Sequence, residues 1–511
     1  MKLKLFLSLC LSLSGANLFA AAPVTDEPVP PPAEHMVSLH ELLVAAMNTN
    51  LELRAKRIDP EIQNLRTTAA WGAFMPTYVA GYSWSSNERP KTSQENSSIS
   101  AIFGGTSDPI LREDTVHAQT GLTGKLPFGL SYEALTGVDR LRNSYNSFNS
   151  EYIANSTLSL TLPLLKDFGL RTNLAEVHLQ KQATIAAQYD LRTVALRIMR
   201  DVTNAYYELA FGQENVQVKT EAIAVAANLV RENQRRLDEG KMASIDVTQA
   251  QSRLSEAKEE LVIARNFLAQ RRNALRELTH DSFNPEEASE VTVDTEFVST
   301  AIPVIDRDEV TGELYKHNPS YLAALELAKA DDIRLAYAKN QRWPRLDLKA
   351  SFGYNGLNRT ADMAYRNYWQ RTQPSWTAGV VFSMPIADIT GRSRVAEAKR
   401  RKAQTLFEIK RTEVTLLSAF DTALREIANA TERVGLVKDT VRLAQSALEV
   451  EMRRLSTGLT TSYNVAQAQR DLSQARSREL ATFVDLNKAV TQLYFVLGTL
   501  DQHLRVSLTA G

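Results

Sequence analysis

The chain is almost free of cysteine. Cys10 is the only one in 511 residues, and it lies inside an apolar stretch near the N-terminus. A lipid-attachment site favours a small residue just before the cysteine, and Leu9 is not small. Disulfides and thiolate chemistry are therefore excluded from the rest of the chain. Long apolar runs are also missing. Past the N-terminus no stretch approaches the roughly 20 apolar residues that a lipid-spanning helix needs. There is no charge excess: 59 basic residues face 59 acidic ones, without the basic surplus typical of a nucleic-acid binder. Catalytic signatures are absent too. No His-Glu-x-x-His, cysteine pair or nucleophile elbow occurs. Gly121-Leu122-Thr123-Gly124-Lys125 holds too few residues between its glycines for a phosphate loop. The seven histidines are scattered singly. These residues call for no cofactor and no metal, and the chain reads as a non-enzyme.

What is present is a duplication. Arg235-Arg236-Leu237-Asp238-Glu239-Gly240 returns as Arg453-Arg454-Leu455-Ser456-Thr457-Gly458. Ser244-Ile245-Asp246-Val247-Thr248-Gln249-Ala250-Gln251 returns as Ser462-Tyr463-Asn464-Val465-Ala466-Gln467-Ala468-Gln469. The copies lie 218 positions apart (236 to 454) and stay in register through Leu254/Leu472 and Ala257/Ala475. So long a period marks a doubled half-molecule and not a solenoid.

The N-terminus reads as a secretory signal over residues 1–22. Lys2 and Lys4 precede the apolar Leu5 to Leu13, and Ala20-Ala21-Ala22 offers small residues for cleavage. Residues 23–37 form a Pro-rich extended leader. The first repeat spans 38–280, an acidic linker 281–307, the second repeat 308–500 and a tail 501–511. The linker has the composition of a small belt beside the helices.

Each half reads helix, β-segment, long helix, tight turn, returning helix. Ser38 and Glu41 form a capping box, and the first helix is predicted to run to about Phe74. Its counterpart runs from about Asp308 to Arg342, with Asn50 matching Asn318. Pro76 and Pro344 end these helices, since proline removes a donor and clashes with the preceding turn. The period then becomes two. Tyr78, Ala80, Tyr82 and Trp84 alternate with Val79, Gly81, Ser83 and Ser85, while Leu346, Leu348, Ala350, Phe352 and Tyr354 alternate with Asp347, Lys349, Ser351 and Gly353. Return strands precede Pro163 and Pro385. Such alternation suits a lipid-facing barrel wall with a wet lumen, and equally a half-buried antiparallel sheet. Val116 to Leu126 and Leu130 to Val138 also alternate, as a further hairpin in the wall or on its outer rim.

The long helices carry a heptad seam. Val247, Ala250, Leu254, Ala257, Leu261, Ala264, Leu268, Leu275 and Leu278 step by three and four with one polar interruption at Arg271, and Val465 to Val496 repeats the register. This predicts coiled-coil packing. Asn173 to about Leu237 spans roughly 100 Å at ~1.5 Å per residue. Two half-length helices stacked end to end would match it.

The doubled Arg-Leu-x-x-Gly-x-x-x-Ser-x-[Asp/Asn]-Val-x-x-Ala-Gln turn resembles the signature of the TolC-like outer membrane efflux proteins. Pro-bounded β-segments between helices and the Asn318-Pro319 pair resemble that family as well, over about Ser38 to Leu500. The resemblance implies a mostly helical fold with transmembrane β. Three protomers would share one outer-membrane barrel prolonged by a helical periplasmic tunnel. A membrane sheet must close, because an open edge leaves backbone groups unpaired in lipid. Four strands cannot close alone, so three protomers would give twelve, or eighteen if the further hairpin joins the wall.

The resemblance also implies a passive exit duct for efflux or type I secretion. It would work with a periplasmic adaptor and an inner-membrane pump of RND or ABC type, in contact with outer-membrane lipid and without nucleic acid. Arg236, Leu237, Gly240, Ser244, Arg454, Leu455, Gly458 and Ser462 fall in the turns where adaptors dock. Asp246, Asn464, Gln467 and Thr460 fall at the narrow periplasmic aperture, and Pro76, Pro163, Pro344 and Pro385 at the membrane boundary. Helix N-capping is the plain alternative for Ser244, Asp246, Ser462 and Asn464. The family's namesake has two aspartates where this chain has Asn464 and Gln467, and a basic latch residue at Thr460. A polar, weakly selective aperture is the expectation. The rivals are a periplasmic adaptor, which has one hairpin between compact β-domains, and a poreless coiled-coil scaffold, which needs no paired alternating strands.

Overall fold

A computed structural model describes residues 35–94, 110–144, 149–280, 291–293 and 307–506. The signal segment, most of the leader and most of the linker lie outside the described residues. The end of the leader is not extended coil, as predicted, but a strand. His35–Val37 (β1) pairs in parallel with Val291–Val293 (β6), forming a two-stranded patch beside the helices.

The predicted helix from Ser38 to Phe74 is two helices. Leu39–Thr49 (α1) opens on the Ser38/Glu41 capping box, and Leu51–Trp71 (α2) follows after Asn50. The counterpart is broken in the same way, into Arg307–His317 (α5) and Pro319–Asn340 (α6) at Asn318. The cause is a buried asparagine that caps a helix start. Asn50 Oδ1 accepts from the Leu53 N–H at 3.0 Å, while its Nδ2 donates to the Leu278 carbonyl at 3.0 Å. Asn318 Oδ1 accepts from the Tyr321 N–H at 3.1 Å and its Nδ2 donates to the Val496 carbonyl at 2.9 Å. Leu278 and Val496 are repeat partners, so the duplication extends to the joint itself. Both joints tie the end of a returning helix to the start of a helix that leads to the β-segments.

Six strands form one antiparallel sheet: Thr77–Pro90 (β2), Ile110–Lys125 (β3), Ser131–Asn143 (β4), Glu151–Pro163 (β5), Arg345–Asn358 (β7) and Pro374–Ser383 (β8). Their spatial order is β2-β3-β4-β5-β7-β8. The further hairpin β3–β4 therefore stands inside the sheet, between β2 and β5. Register aligns Tyr78, Leu122, Ala134, Leu158, Phe352 and Trp376 in one cross-strand row on one face. Gly81, Gln119, Gly137, Asn155 and Asn355 form a row on the other. A Cβ on Gly121 would stand 2.1 Å from the Ala134 carbonyl oxygen, and one on Gly353 2.2 Å from that of Ser156. Both would point to the polar face, where only glycine lets the neighbouring backbone come so close. Between β7 and β8, Ala361–Trp369 (α7) packs its buried Ala364 against Gly356.

Below the sheet run two long helices, Ala175–Asp238 (α3, 64 residues) and Ile389–Ser456 (α8, 68 residues). Each is about 100 Å long at ~1.5 Å per residue. Ser244–Thr279 (α4) and α2 lie end to end along α3, and Ser462–Leu497 (α9) and α6 lie end to end between α3 and α8. The seam buries Val247, Ala250, Ala264, Leu268 and Leu275 in α4, and Val465, Leu472, Ala475, Leu486, Ala489 and Leu493 in α9. Arg271, the polar interruption, stacks on Phe267 and pairs with Glu208 of α3, which Lys488 of α9 also reaches. The main core gathers near the joints, where Leu43, Leu53, Leu196, Met199, Val202, Leu275 and Leu500 meet. Leu500 belongs to the short Leu500–His503 (α10), so the start of the tail packs into the core.

Candidate functional site

The repeated motif builds the two ends farthest from the sheet. Gly240 and Gly458 take φ of 73° and 75°, a left-handed conformation that glycine adopts without penalty. Around each, the last helical turn closes in the same way. The Gly240 N–H donates to the Leu237 carbonyl and that of Lys241 to Arg236, each at 2.8 Å. The Gly458 N–H donates to Leu455 at 3.2 Å and that of Leu459 to Arg454 at 2.8 Å. This is the Schellman closure, which satisfies carbonyls left over at a helix end.

Ser244 and Ser462 are not the N-caps that the plain reading predicts. The cap positions are Ala243 and Thr461, neither of which makes a side-chain cap. Each serine is the first helical residue, and Asp246 and Asn464 are the third, one position past where the pattern places them. Ser462 instead turns inward. It is buried, and its Oγ lies 2.7 Å from Asn233 Oδ1, to which it donates. Asn233 is fully buried, and its Nδ2 donates to the Asp246 carbonyl at 3.3 Å. One asparagine on α3 thus joins the starts of both returning helices. Arg236 adds a second tie, donating from Nη1 to the Leu455 carbonyl at 3.1 Å.

Further ties run between α4 and α9. Glu256 accepts from Arg253 at 2.7 Å and from Arg470 at 3.0 Å, while Arg253 lies over the Tyr463 ring. Thr460 Oγ1 donates to Glu451 Oε2 at 2.7 Å, Asn464 Nδ2 donates to Thr460 at 3.0 Å, and Gln467 donates to Asp471 at 2.9 Å. Arg454 pairs with the same Glu451 at 2.8 Å. Leu455 is buried against Leu448, Val465 and Leu472, whereas Leu237 is half-buried. At the outer turn the Arg236 hydrogen bond, with help from Arg235, holds the Glu232 carboxyl below its usual range. Lys241 does the same for Glu239.

The structure therefore brings Arg236, Leu455, Ser462 and Asp246 into one network and places Thr460 and Asn464 in a second. Ser244 and Leu237 join neither. Asn233 and Glu451 are repeat partners that the sequence motif did not flag. The usable signal was Asn233 continuing the α3 seam after Ala222, Ala226 and Leu229, since a lone asparagine in a heptad core fixes register.

The four prolines lie at the sheet end nearest the long helices. Pro76 and Pro344 directly precede β2 and β7, Pro163 closes β5 opposite Asp347, and Pro385 follows β8. Among the described residues, no group of three His, Cys, Asp or Glu side chains could hold a metal, and no helix is long and apolar enough to cross a membrane.

The profile described as "Outer membrane efflux protein" matches residues 111–279 and 313–499. The outer membrane protein TolC of Vibrio cholerae is 26% identical over 318 residues, covering 61% of this chain and 69% of that protein. The probable efflux pump outer membrane protein TtgC of Pseudomonas putida is 21% identical over 356 residues, covering 69% and 70%. Among solved structures, the outer-membrane channel OprN superposes with a TM-score of 0.67 at 16% identity, covering 90% of each chain, a likeness of fold.

Proposed function

The chain belongs to the outer membrane efflux protein family, and from that premise we propose that three copies assemble into one passive duct. The protein is an outer membrane efflux channel and works with the partners of a tripartite pump. In the proposed assembly three sheets close into a shared barrel, and the helices prolong it as a tunnel. A periplasmic adaptor docks at the hairpin ends, and an inner-membrane pump of RND or ABC type supplies energy and chooses cargo.

One observation carries this reading: the open sides of the sheet and of the helical layer coincide. Within the chain, β2 and β8 are edge strands. β2 continues from α2, and β8 leads into α8. In the helical layer the outer members are likewise α2 with α4 on one side and α8 on the other. On α8, Phe407 and Val414 are exposed seven apart, as are Leu436, Leu443 and Val450 in a second run, and Ile58, Ile62 and Leu65 of α2 are exposed at steps of four and three. Seams of that kind bury against another helix. A single rotation that seats one copy's α8 side beside the next copy's α2 side also pairs β8 with β2. Closing the sheet removes the unpaired edges that lipid forbids. Aromatic and aliphatic side chains then face lipid, and the polar face lines the lumen.

The hairpin ends form the narrow end in this reading. Asn233, Arg236 and Ser462 hold the two hairpins of a protomer together, and opening requires their bonds to yield. Asn464, Gln467 and Thr460 give a polar aperture, to which Asp246 adds one carboxylate from each protomer. The test is the native mass of protein extracted by detergent from separated outer membranes. A trimer is expected, and a water-soluble monomer would overturn the assembly.

A further inference from the structure

We propose that the end of the sheet farthest from the helices carries a docking collar for the phosphorylated glycolipid of the outer leaflet, built from Arg140 on the wall and Arg366 on α7. The assignment of this face to lipid rests on the assembly proposed above.

The apolar face of the sheet ends at a definite height. On β5 it runs from Leu162 to Tyr152, about 34 Å of strand at ~3.4 Å per residue. A tilt of about 35–45° turns this into roughly 24–28 Å of height, which matches the apolar band of about 25 Å on such a barrel. Across its upper edge the register aligns Trp84, Val116, Arg140, Tyr152 and Asn358. Beyond that row, on the same face, Arg142 stands opposite Asp114, and Arg112 lies 3.3 Å from Glu88. Each of these two arginines thus has a carboxylate in its own row. Arg140 has none. Its cross-strand neighbours are Val116 and Tyr152, and its Nε meets no acceptor among the described residues.

α7 lies on this same outer face. Its seat is a pair of small residues across β5 and β7, in the row just below Tyr152 and Asn358. Ala154 is fully buried, and a Cβ on Gly356 would stand 2.3 Å from the Ala364 carbonyl oxygen. Met363, Arg366 and Trp369 are exposed at steps of three along the helix. Asp362 lies 3.6 Å from Arg366 with both side chains exposed, a pairing that leaves the arginine open to a stronger anion. A short helix with an arginine between two large apolar residues suits the plane of lipid headgroups, where tryptophan is also enriched.

The surface is therefore continuous, apolar along the wall and cationic at its upper edge. Its occupant needs acyl chains to lie against residues such as Tyr82 and Trp84, and an anionic head to meet Arg140 and Arg366. In the outer leaflet of an outer membrane that molecule is a glycolipid whose sugars bear phosphates. The forked donors of arginine match a phosphate's oxygens and form charge-assisted hydrogen bonds to it.

Native mass spectrometry of the detergent-extracted protein, titrated with bisphosphorylated lipid A, tests this. Each chain should retain the lipid, and fully dephosphorylated lipid A should be retained at least tenfold more weakly. Arg140→Gln with Arg366→Gln should weaken retention roughly 30-fold, from about a fivefold loss per arginine. Lys399→Gln with Arg411→Gln removes the same charge from α8 and should leave retention unchanged. Equal retention of the two lipid A forms, equal retention by wild type and the Arg140/Arg366 variant, or an equal loss in the α8 variant would overturn the collar. Phosphatidylglycerol bound as tightly as lipid A would overturn the choice of glycolipid. The same spectra count the chains: a monomer that still discriminates between the lipids would overturn the trimer and keep the collar.

Discussion

Asn233 is the residue whose loss should open the duct. It is fully buried, accepts from Ser462 at 2.7 Å and donates to the Asp246 carbonyl at 3.3 Å. Asn233→Ala removes both bonds. The Asp246 carbonyl keeps its place in the α4 ladder, so its loss is the ordinary net value of about 1 kcal/mol. Ser462 is 4% exposed, and its hydroxyl is left buried without that acceptor, at a cost of about 1–2 kcal/mol. The closed hairpin ends therefore lose about 2–3 kcal/mol, which multiplies the open-to-closed ratio about 30- to 150-fold. Single-channel recording in planar bilayers reads that ratio directly. Ser462→Ala alone should raise it less, and the double variant should exceed Asn233→Ala by little, because one bond cannot be lost twice. A wild-type open fraction in Asn233→Ala, or strictly additive effects in the double variant, would refute the role given to this asparagine.

Three further outcomes are expected. Asn464→Asp combined with Gln467→Asp should raise cation preference and sensitivity to divalent block, and unchanged recordings would remove these residues from the constriction. Asn318→Ala loses a helix cap worth about 1 kcal/mol and strands the Val496 carbonyl for about 1–3 more. Amide exchange near Tyr321 should then accelerate at least tenfold, with Asn318→Asp intermediate because it keeps the cap and loses the donor. Equal exchange in all three proteins would show that the joint is held by packing alone. Burial pushes the Glu208 carboxyl up, but the hydrogen bonds and charges of Lys488 and then Arg271 outweigh it and hold it below the usual 4.5. A depressed carboxyl stabilises the fold above about pH 4.5 and loses that contribution as pH falls through the folded value. The stability gap between wild type and Glu208→Gln, followed by denaturation midpoint, should shrink below about pH 4.5; a gap that stays constant to pH 3 would assign the site's stability to other contacts.

The features legible in the sequence were those encoded along one short stretch. Heptad steps from Val247 to Leu278, alternation from Tyr78 to Trp84 and the doubled glycine turns each declare themselves within a few residues, and the family resemblance rested on them. The features that were not legible need a distant partner. Asn50 breaks its helix because the Leu278 carbonyl is there to receive it, 228 positions away. Asn318 does so through Val496, 178 positions away. The serines at 244 and 462 begin their helices without capping them, and a single sequence does not separate a cap from a first helical residue one position away. Asn233 was hidden for a related reason. Its local pattern shows only a polar residue in a seam, and its meaning depends on Ser462 from the other hairpin. Whether β3 and β4 entered the sheet was a question of pairing, and alternation cannot name a strand's neighbour.

The β-segments also set a rule for symmetry. Every excursion into the sheet leaves from and returns to the same end, so strands are gained only in pairs. The first half has taken four and the second two, while the glycine turns and asparagine joints of the halves stay equivalent. In the proposed trimer the membrane portion is then threefold and nothing more. The periplasmic portion approaches sixfold, ending in six near-alike tips of two alternating kinds, one bearing Lys241 and Asp246 and the other Leu459 and Asn464. A docking partner built as a ring of six like subunits would meet the same shape at every position but two chemistries in turn, so its subunits would have to bind in two alternating ways.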